Sequence, residues 1–387
     1  MSSLIFRKGL DLKNAVAGTL AESYHSDLIE RVKADDFTYC AGRLTIHLAR
    51  EFGFCYGVDR AVDYAYQTRR RFPDRPVHLT GEIIHNPHVN QKLRAMGIQF
   101  LSDGGSIGRL GPNDVVILPA FGVSVVTLQQ LERQECTLVD TTCGSVLNVW
   151  KNVRRYAEGG YTAIIHGKTW HEETQATASQ AAHYGGRFLV VLDSREAEAV
   201  RDYIRDGRDR GRFLARFAAA ASPGFDPDRD LQRIGLANQT TMLMSESLAI
   251  EAMLKAAIVD RFGEGALAAH FQAFDTICSA TQDRQDAVVA LLRDKPIETM
   301  IVIGGYNSSN TCNLARICAA SHPTFHVASP DCLASADEIR HRPVGAKIEV
   351  TTHGWLPPAG PVTIGLTAGA STPDNLVAAA MTRLTGF

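Results

Sequence analysis

One unit recurs along these 387 residues: an apolar, β-favouring run, a loop of small polar residues, and then an amphipathic helical pattern. It is seen in TAIIHGKTWHEETQATASQA (162–181), LANQTTMLMSESLAIEAML (236–254), MIVIGGYNSSNTCNLARICAA (300–320) and PVTIGLTAGASTPDNLVAAAM (361–381). Strands that alternate with helices form parallel βαβ units, because a parallel neighbour is reached only by a crossover connection. Such sheets bind ligands beyond the carboxyl ends of their strands, which is where these polar loops lie. The expected fold class is therefore α/β, built from small parallel sheets.

Three further units carry a cysteine at the joint between strand and helix: LAREFGFCYGVDRAV, CTLVDTTCGSVLNVW and FDTICSATQDRQDAV. After Cys55 the residues Val58, Ala61, Val62, Ala65 and Tyr66 keep helical spacing, as do Val146, Val149, Trp150 and Val153 after Cys143; the pattern after Cys278 is weaker. A helix N-terminus carries unsatisfied N–H groups and a positive partial charge, so a cysteine there is biased toward the metal-ligating thiolate. Three such thiolates suit a [4Fe-4S] cluster with one open iron, or a zinc ion with water in its fourth position, and spacing alone leaves both open. Cys40, Cys136, Cys312, Cys318 and Cys332 lack this address and read as ordinary packing residues.

Taking the joints as boundaries divides the chain into an N-terminal extension (1–40) and three α/β lobes. The first lobe is 57–142 and the second 143–276, with a charged insertion at 206–230. The third lobe, 277–387, is completed by strand 43–54.

A formal net charge of -2 argues against nucleic acid or an anionic membrane as a partner held by overall charge, so an anionic ligand must be held locally. The longest uncharged run near mid-chain, Val115 to Leu131, is interrupted by Pro119 and Gly122 and reads as strand, turn and helix rather than a membrane span. The first 40 residues hold six acids against five Lys and Arg, unlike a secretory signal or a transit peptide. The eight cysteines form no CxxC and no regular framework, which fits a reducing compartment. A cytoplasmic protein is expected.

The loops that follow the strands are rich in donors for a phosphorylated ligand: His85, His171, Thr240, Thr241, Ser308, Ser309, Asn310 and Ser371. Singly, each Ser, Thr or Asn suits a helix N-cap. Their recurrence at equivalent loops is what points to an anion.

The ordered motifs GFCYGVDRA, EIIHNPHV, VDTTC, HEET, NQTT, TICSATQDRQ, NSSN and TAGAST resemble the IspH/LytB family of 4-hydroxy-3-methylbut-2-enyl diphosphate reductases, from about Arg43 to the C-terminus. The resemblance implies a three-lobed trefoil of α/β domains around one [4Fe-4S] cluster, with Cys55, Cys143 and Cys278 as its ligands. The implied reaction is the reductive loss of the allylic hydroxyl to give isopentenyl and dimethylallyl diphosphate, the last step of the methylerythritol phosphate route. It further implies that His85, His171, Thr240, Ser308, Ser309, Asn310 and Ser371 bind substrate, that Glu173 delivers protons, and that Thr240 stands beside it.

Phe121 in PAFGVS replaces a histidine common in the family, and Gly144 follows Cys143 where proline is frequent, as in the plant and cyanobacterial branch. That branch suggests ferredoxin, or flavodoxin, as electron donor. Lys168 is a candidate replacement donor for phosphate, and Arg69, Arg70, Arg71, Arg154 and Arg155 are candidate cations for an acidic donor. A redox-neutral hydro-lyase using the same open iron, and an iron–sulfur sensor without turnover, are the rival readings.

Overall fold

The computed structural model describes residues 4–274 and 276–387. Residues 1–3 of the N-terminal extension, and Asp275 inside FDTICSATQDRQDAV, lie outside the described residues. The chain forms two compact units, Met1–Ile5 with Gly104–Cys278, and Phe6–Asp103 with Ser279–Phe387.

In the first unit the strands Phe271–Ala273, Ile234–Asn238, Thr162–His166 and Phe188–Val191 lie side by side in that order, all parallel. Thr162–His166 and Ile234–Asn238 are buried along their whole length, which is why they read as continuous apolar runs rather than alternating ones. Val115–Leu118 and Thr137–Asp140 form a further parallel pair. Val115 to Leu131 is strand, turn and helix as expected, the helix being Val125–Arg133. The expected insertion contains the short helices Arg210–Arg216 and Pro227–Asp230, and it does not lie loose on the surface. Phe213, Phe217 and Phe225 pack with Leu189, Val191 and Leu236 in the sheet's own core.

In the second unit five strands run in the order Thr324–Val327, Thr299–Ile303, Val362–Ala368, Leu44–Leu48, Thr38–Ala41, the last one antiparallel. Val77–Leu79 pairs in parallel with Ile98–Phe100. The strand expected over 43–54 is shorter, confined to Leu44–Leu48. The chain then turns through Gly53, whose φ of +80° suits glycine and where a Cβ would stand 2.6 Å from Asp374 Oδ1.

The N-terminal segment forms the helices Lys13–Tyr24 and Asp27–Ala34. Ile29 and Val32 are buried in one apolar core with Leu44, Ile46, Leu48, Val377 and Met381, so this segment completes the unit rather than trailing from it. Among the described residues, no helix is long and apolar enough to cross a membrane.

Candidate active site

Each candidate cluster, substrate and proton-donor residue lies at a strand-to-helix joint or in the first turn of a helix. In the second unit, Cys55 is the N-cap of Tyr56–Arg71, and its side chain makes no capping bond. Its N–H donates to Ala370 O at 3.1 Å, and the Ala370 N–H donates to Asn310 Oδ1 at 3.0 Å. Next along the chain, Ser371 donates through Oγ to His85 O at 3.2 Å, while Asn86 Nδ2 donates to Ser371 O at 2.7 Å. One network thus joins the loops carrying Cys55, His85, Asn310 and Ser371.

Ser308 caps the helix Ser309–Ala319 by accepting from Thr311 N–H, and Ser309 and Asn310 are buried in its first turn. Among the described residues, Asn310 Nδ2 is buried without a hydrogen-bond partner, as is Thr311 Oγ1. Leaving such a donor unpaired costs about 1–3 kcal/mol, and an anion oxygen at this helix N-terminus would relieve the cost. His85 Nδ1 lies 2.8 Å from Glu82 Oε2, so that nitrogen carries a proton.

In the first unit, Cys143 is the N-cap of Gly144–Glu158, again without a side-chain capping bond, and its N–H donates to Ala120 O at 2.8 Å. Phe121, the next residue, meets His171 edge-on with ring centroids 5.9 Å apart. His171 caps Glu172–His183, its Nδ1 accepting from Glu173 N–H at 3.1 Å, which leaves the ring proton on Nε2.

Glu173 is buried in the first helical turn, where the helix dipole favours a carboxylate. Its Oε1 accepts from Thr240 N–H at 2.6 Å, and its Oε2 stands 3.1 Å from Thr240 Oγ1. The Thr240 carbonyl in turn accepts from Cys278 N–H at 3.2 Å, and the helix Ser279–Asp294 begins at the next residue. A threonine hydroxyl donates to a carboxylate and accepts from a carboxylic acid, so Glu173 has a partner in either protonation state. Glu172, its neighbour, is mostly exposed.

The chemistry of the thiols fits an iron–sulfur centre. Cys55, Cys143 and Cys278 are half-buried at helix starts. The other five have packing roles or other partners: Cys136 and Cys332 are buried, and burial pushes the Cys318 thiol up to about 12, far from a ligating thiolate. Cys312 Sγ meets Tyr306 O and Arg342, while Cys40, unlike the packing residue expected, is exposed on an edge strand with its Sγ 3.9 Å from Thr45 Oγ1.

The profile of the family described as LytB protein matches residues 46–385. The chain belongs to the LytB family. It is 50% identical over 387 residues to a 4-hydroxy-3-methylbut-2-enyl diphosphate reductase of Gloeobacter violaceus, covering 98% of this chain and 91% of that protein. It is 47% identical to the protein of the same name from a Synechococcus, covering 98% and 94%.

Two solved structures share the fold. One is a structure of (E)-4-hydroxy-3-methyl-but-2-enyl diphosphate reductase, with a TM-score of 0.52 at 24% identity, covering 88% of this chain and 99% of that one. The other is the Plasmodium falciparum E-1-hydroxy-2-methyl-but-2-enyl-4-diphosphate reductase, with a TM-score of 0.63 at 21% identity, covering 88% and 87%. The three-domain α/β fold of the LytB family is therefore the fold of this chain.

The sequence reading passed over Asn86 and Gln239. Asn86 lies inside the EIIHNPHV motif, and an Asn before Pro is a helix-start signal; its Oδ1 accepts from Val89 N–H. Gln239 Oε1 accepts from the Lys168 N–H at 3.1 Å and from Thr174 Oγ1 at 3.2 Å. Lys168 is half-buried. Two of the candidate docking cations have local partners: Arg69 donates to Phe72 O and Arg75 O past the end of its helix, and Arg154 pairs with Glu158 at 2.7 Å.

Proposed function

We infer that this chain is a 4-hydroxy-3-methylbut-2-enyl diphosphate reductase, an iron–sulfur oxidoreductase of the methylerythritol phosphate pathway. It removes the allylic hydroxyl to give isopentenyl and dimethylallyl diphosphate. The observation that carries this reading is 47–50% identity along nearly the whole chain to proteins of that name. The cofactor of the LytB family is one [4Fe-4S] cluster with three cysteine ligands and one open iron, and Cys55, Cys143 and Cys278 are the residues that would hold it. When bound, it supplies electrons one at a time and a Lewis-acidic iron.

The chain's own residues supply binding and protons. His85, His171, Ser308, Ser309, Asn310 and Ser371 offer donors to the diphosphate, and the unpaired Asn310 amide supports that role. The reaction takes up two electrons and two protons, one proton replacing the hydroxyl on carbon and one leaving with it as water. Glu173 is the residue we assign to deliver a proton to the departing oxygen, and Thr240 holds its carboxyl in place in both protonation states. Phe121 cannot donate to phosphate. Its edge against His171 fixes that ring instead.

The same reading includes a trefoil arrangement of the three lobes around the cluster, a ferredoxin or flavodoxin as donor, and a cytoplasmic location. Anaerobic turnover with and without reduced ferredoxin tests it: consumption of substrate only with the reductant is expected. Equal turnover without reductant would replace the reductase by a redox-neutral hydro-lyase.

A further inference from the structure

Arg284 lies in the helix Ser279–Asp294, which begins one residue after Cys278, and it is 4% exposed. Its guanidinium makes two hydrogen bonds, both to backbone carbonyls. Nη1 donates to Ala280 O at 2.8 Å within its own helix, and Nη2 donates to Gly53 O at 2.8 Å, in the turn two residues before Cys55. Nε is buried without a partner. Among the described residues its partners are these carbonyls, not a carboxylate.

A guanidinium stays protonated at any physiological pH, so this is a buried positive charge that, among the described residues, is paired with carbonyls and with no carboxylate. Such a charge is costly unless an anion offsets it. A cluster held by three thiolates is a net anion, and one-electron reduction makes it more negative. Gly53 and Cys55 lie in one turn, so the bond to Gly53 O also bears on where the first thiol sits.

We propose that Arg284 is a positioning residue for the iron–sulfur centre. It ties the turn before Cys55 to the helix after Cys278 and places there a fixed positive charge that the thiolate-bound cluster balances. This rests on the cluster assignment above and assigns a role to a residue that the reaction itself does not use. Removing the charge makes the cluster harder to reduce, whereas keeping the charge and changing the hydrogen bonds loosens the Cys55 turn without moving the potential as far.

The test uses anaerobically purified full-length protein with its cluster: wild type, Arg284→Lys and Arg284→Met. Each is titrated potentiometrically with one-electron mediators and read by EPR, and iron release to a chelator is followed in parallel. Arg284→Met is expected to lower the reduction equilibrium about tenfold, about 59 mV for a one-electron couple, and to release iron faster than wild type. Arg284→Lys is expected to keep most of the wild-type midpoint while still releasing iron faster. A wild-type midpoint in Arg284→Met, or an equal shift in Arg284→Lys and Arg284→Met, overturns the role of the charge. If Arg284→Met retains no cluster, Arg284→Gln, which also removes the charge, takes its place under the same criterion. Wild-type protein without a [4Fe-4S] signal would instead overturn the cluster assignment itself, and this proposal with it.

Discussion

In the role proposed for it, Glu173 carries the sharpest demand on any single side chain, because it would have to give up a proton in a buried place and still be held in one orientation. The two bonds from Thr240 meet that demand at both oxygens, while Glu172, one residue earlier, faces solvent. Glu173→Gln keeps shape and hydrogen-bonding capacity but has no transferable proton. Turnover in this variant is expected to fall by about 10²–10⁴, the scale of a lost general acid, with the cluster's EPR signal and the substrate-induced change in it retained. Glu172→Gln is expected to keep most of its activity. Steady-state rates of the two variants, measured side by side, decide which of the paired glutamates is the donor.

At the scale of elements, the loops proposed to hold the diphosphate depend on how closely the strand Val362–Ala368 and the helix Ser309–Ala319 approach each other. A Cβ on Gly369 would fall 1.9 Å from Thr311 Oγ1, so Gly369→Ala must displace the first turn of that helix. We expect a loss of about 1–3 kcal/mol in a denaturant titration, together with a raised substrate KM because Ser309 and Asn310 move with the turn.

The edge strand Thr324–Val327, paired with Thr299–Ile303, carries His326, whose Nε2–H donates to Gly304 O at 3.0 Å just ahead of the same loop. Burial holds its pKa down to about 4 from 6.5, and Arg342 and His341 push the same way against the Gly304 carbonyl. Between those values the unfolded chain binds a proton that the folded chain does not. Stability therefore rises with pH through this window and is lost as pH falls through it. Comparing melting near pH 7 and near pH 5 is expected to show a loss of roughly 1–2 kcal/mol from this group, reduced in His326→Gln.

Over the whole molecule, the N-terminal segment is structural rather than appended. Lys33 Nζ reaches Asp374 at 3.1 Å, Asn375 Nδ2 donates to Ser23 O at 2.8 Å, and Ile29 is fully buried among strand and helix residues of the second unit. Ile29→Ala is expected to cost about 2–5 kcal/mol, measured as a lowered denaturation midpoint of the full chain. A segment that merely trailed from the fold would tolerate the change with no shift in the midpoint.

What the sequence determined by itself was local in origin. The switch from apolar run to helical period placed Cys55 and Cys143 at helix N-caps, and the strand ends marked where the polar loops gather, because periodicity and capping act over a few neighbouring residues. The same local signals overextended this strand to 43–54, since apolar Phe52 and Phe54 continue the pattern beyond Leu48, on either side of the turn at Gly53. Only the tertiary structure decided which loops share a network. Asn310 and Ala370 meet across 60 positions, Ser371 and His85 across 286, and Arg284 and Gly53 across 231. Sheet order brings such pairs together. A buried amide or guanidinium acquires its meaning from the partners found there, and no run of neighbouring residues encodes which distant carbonyl will face it.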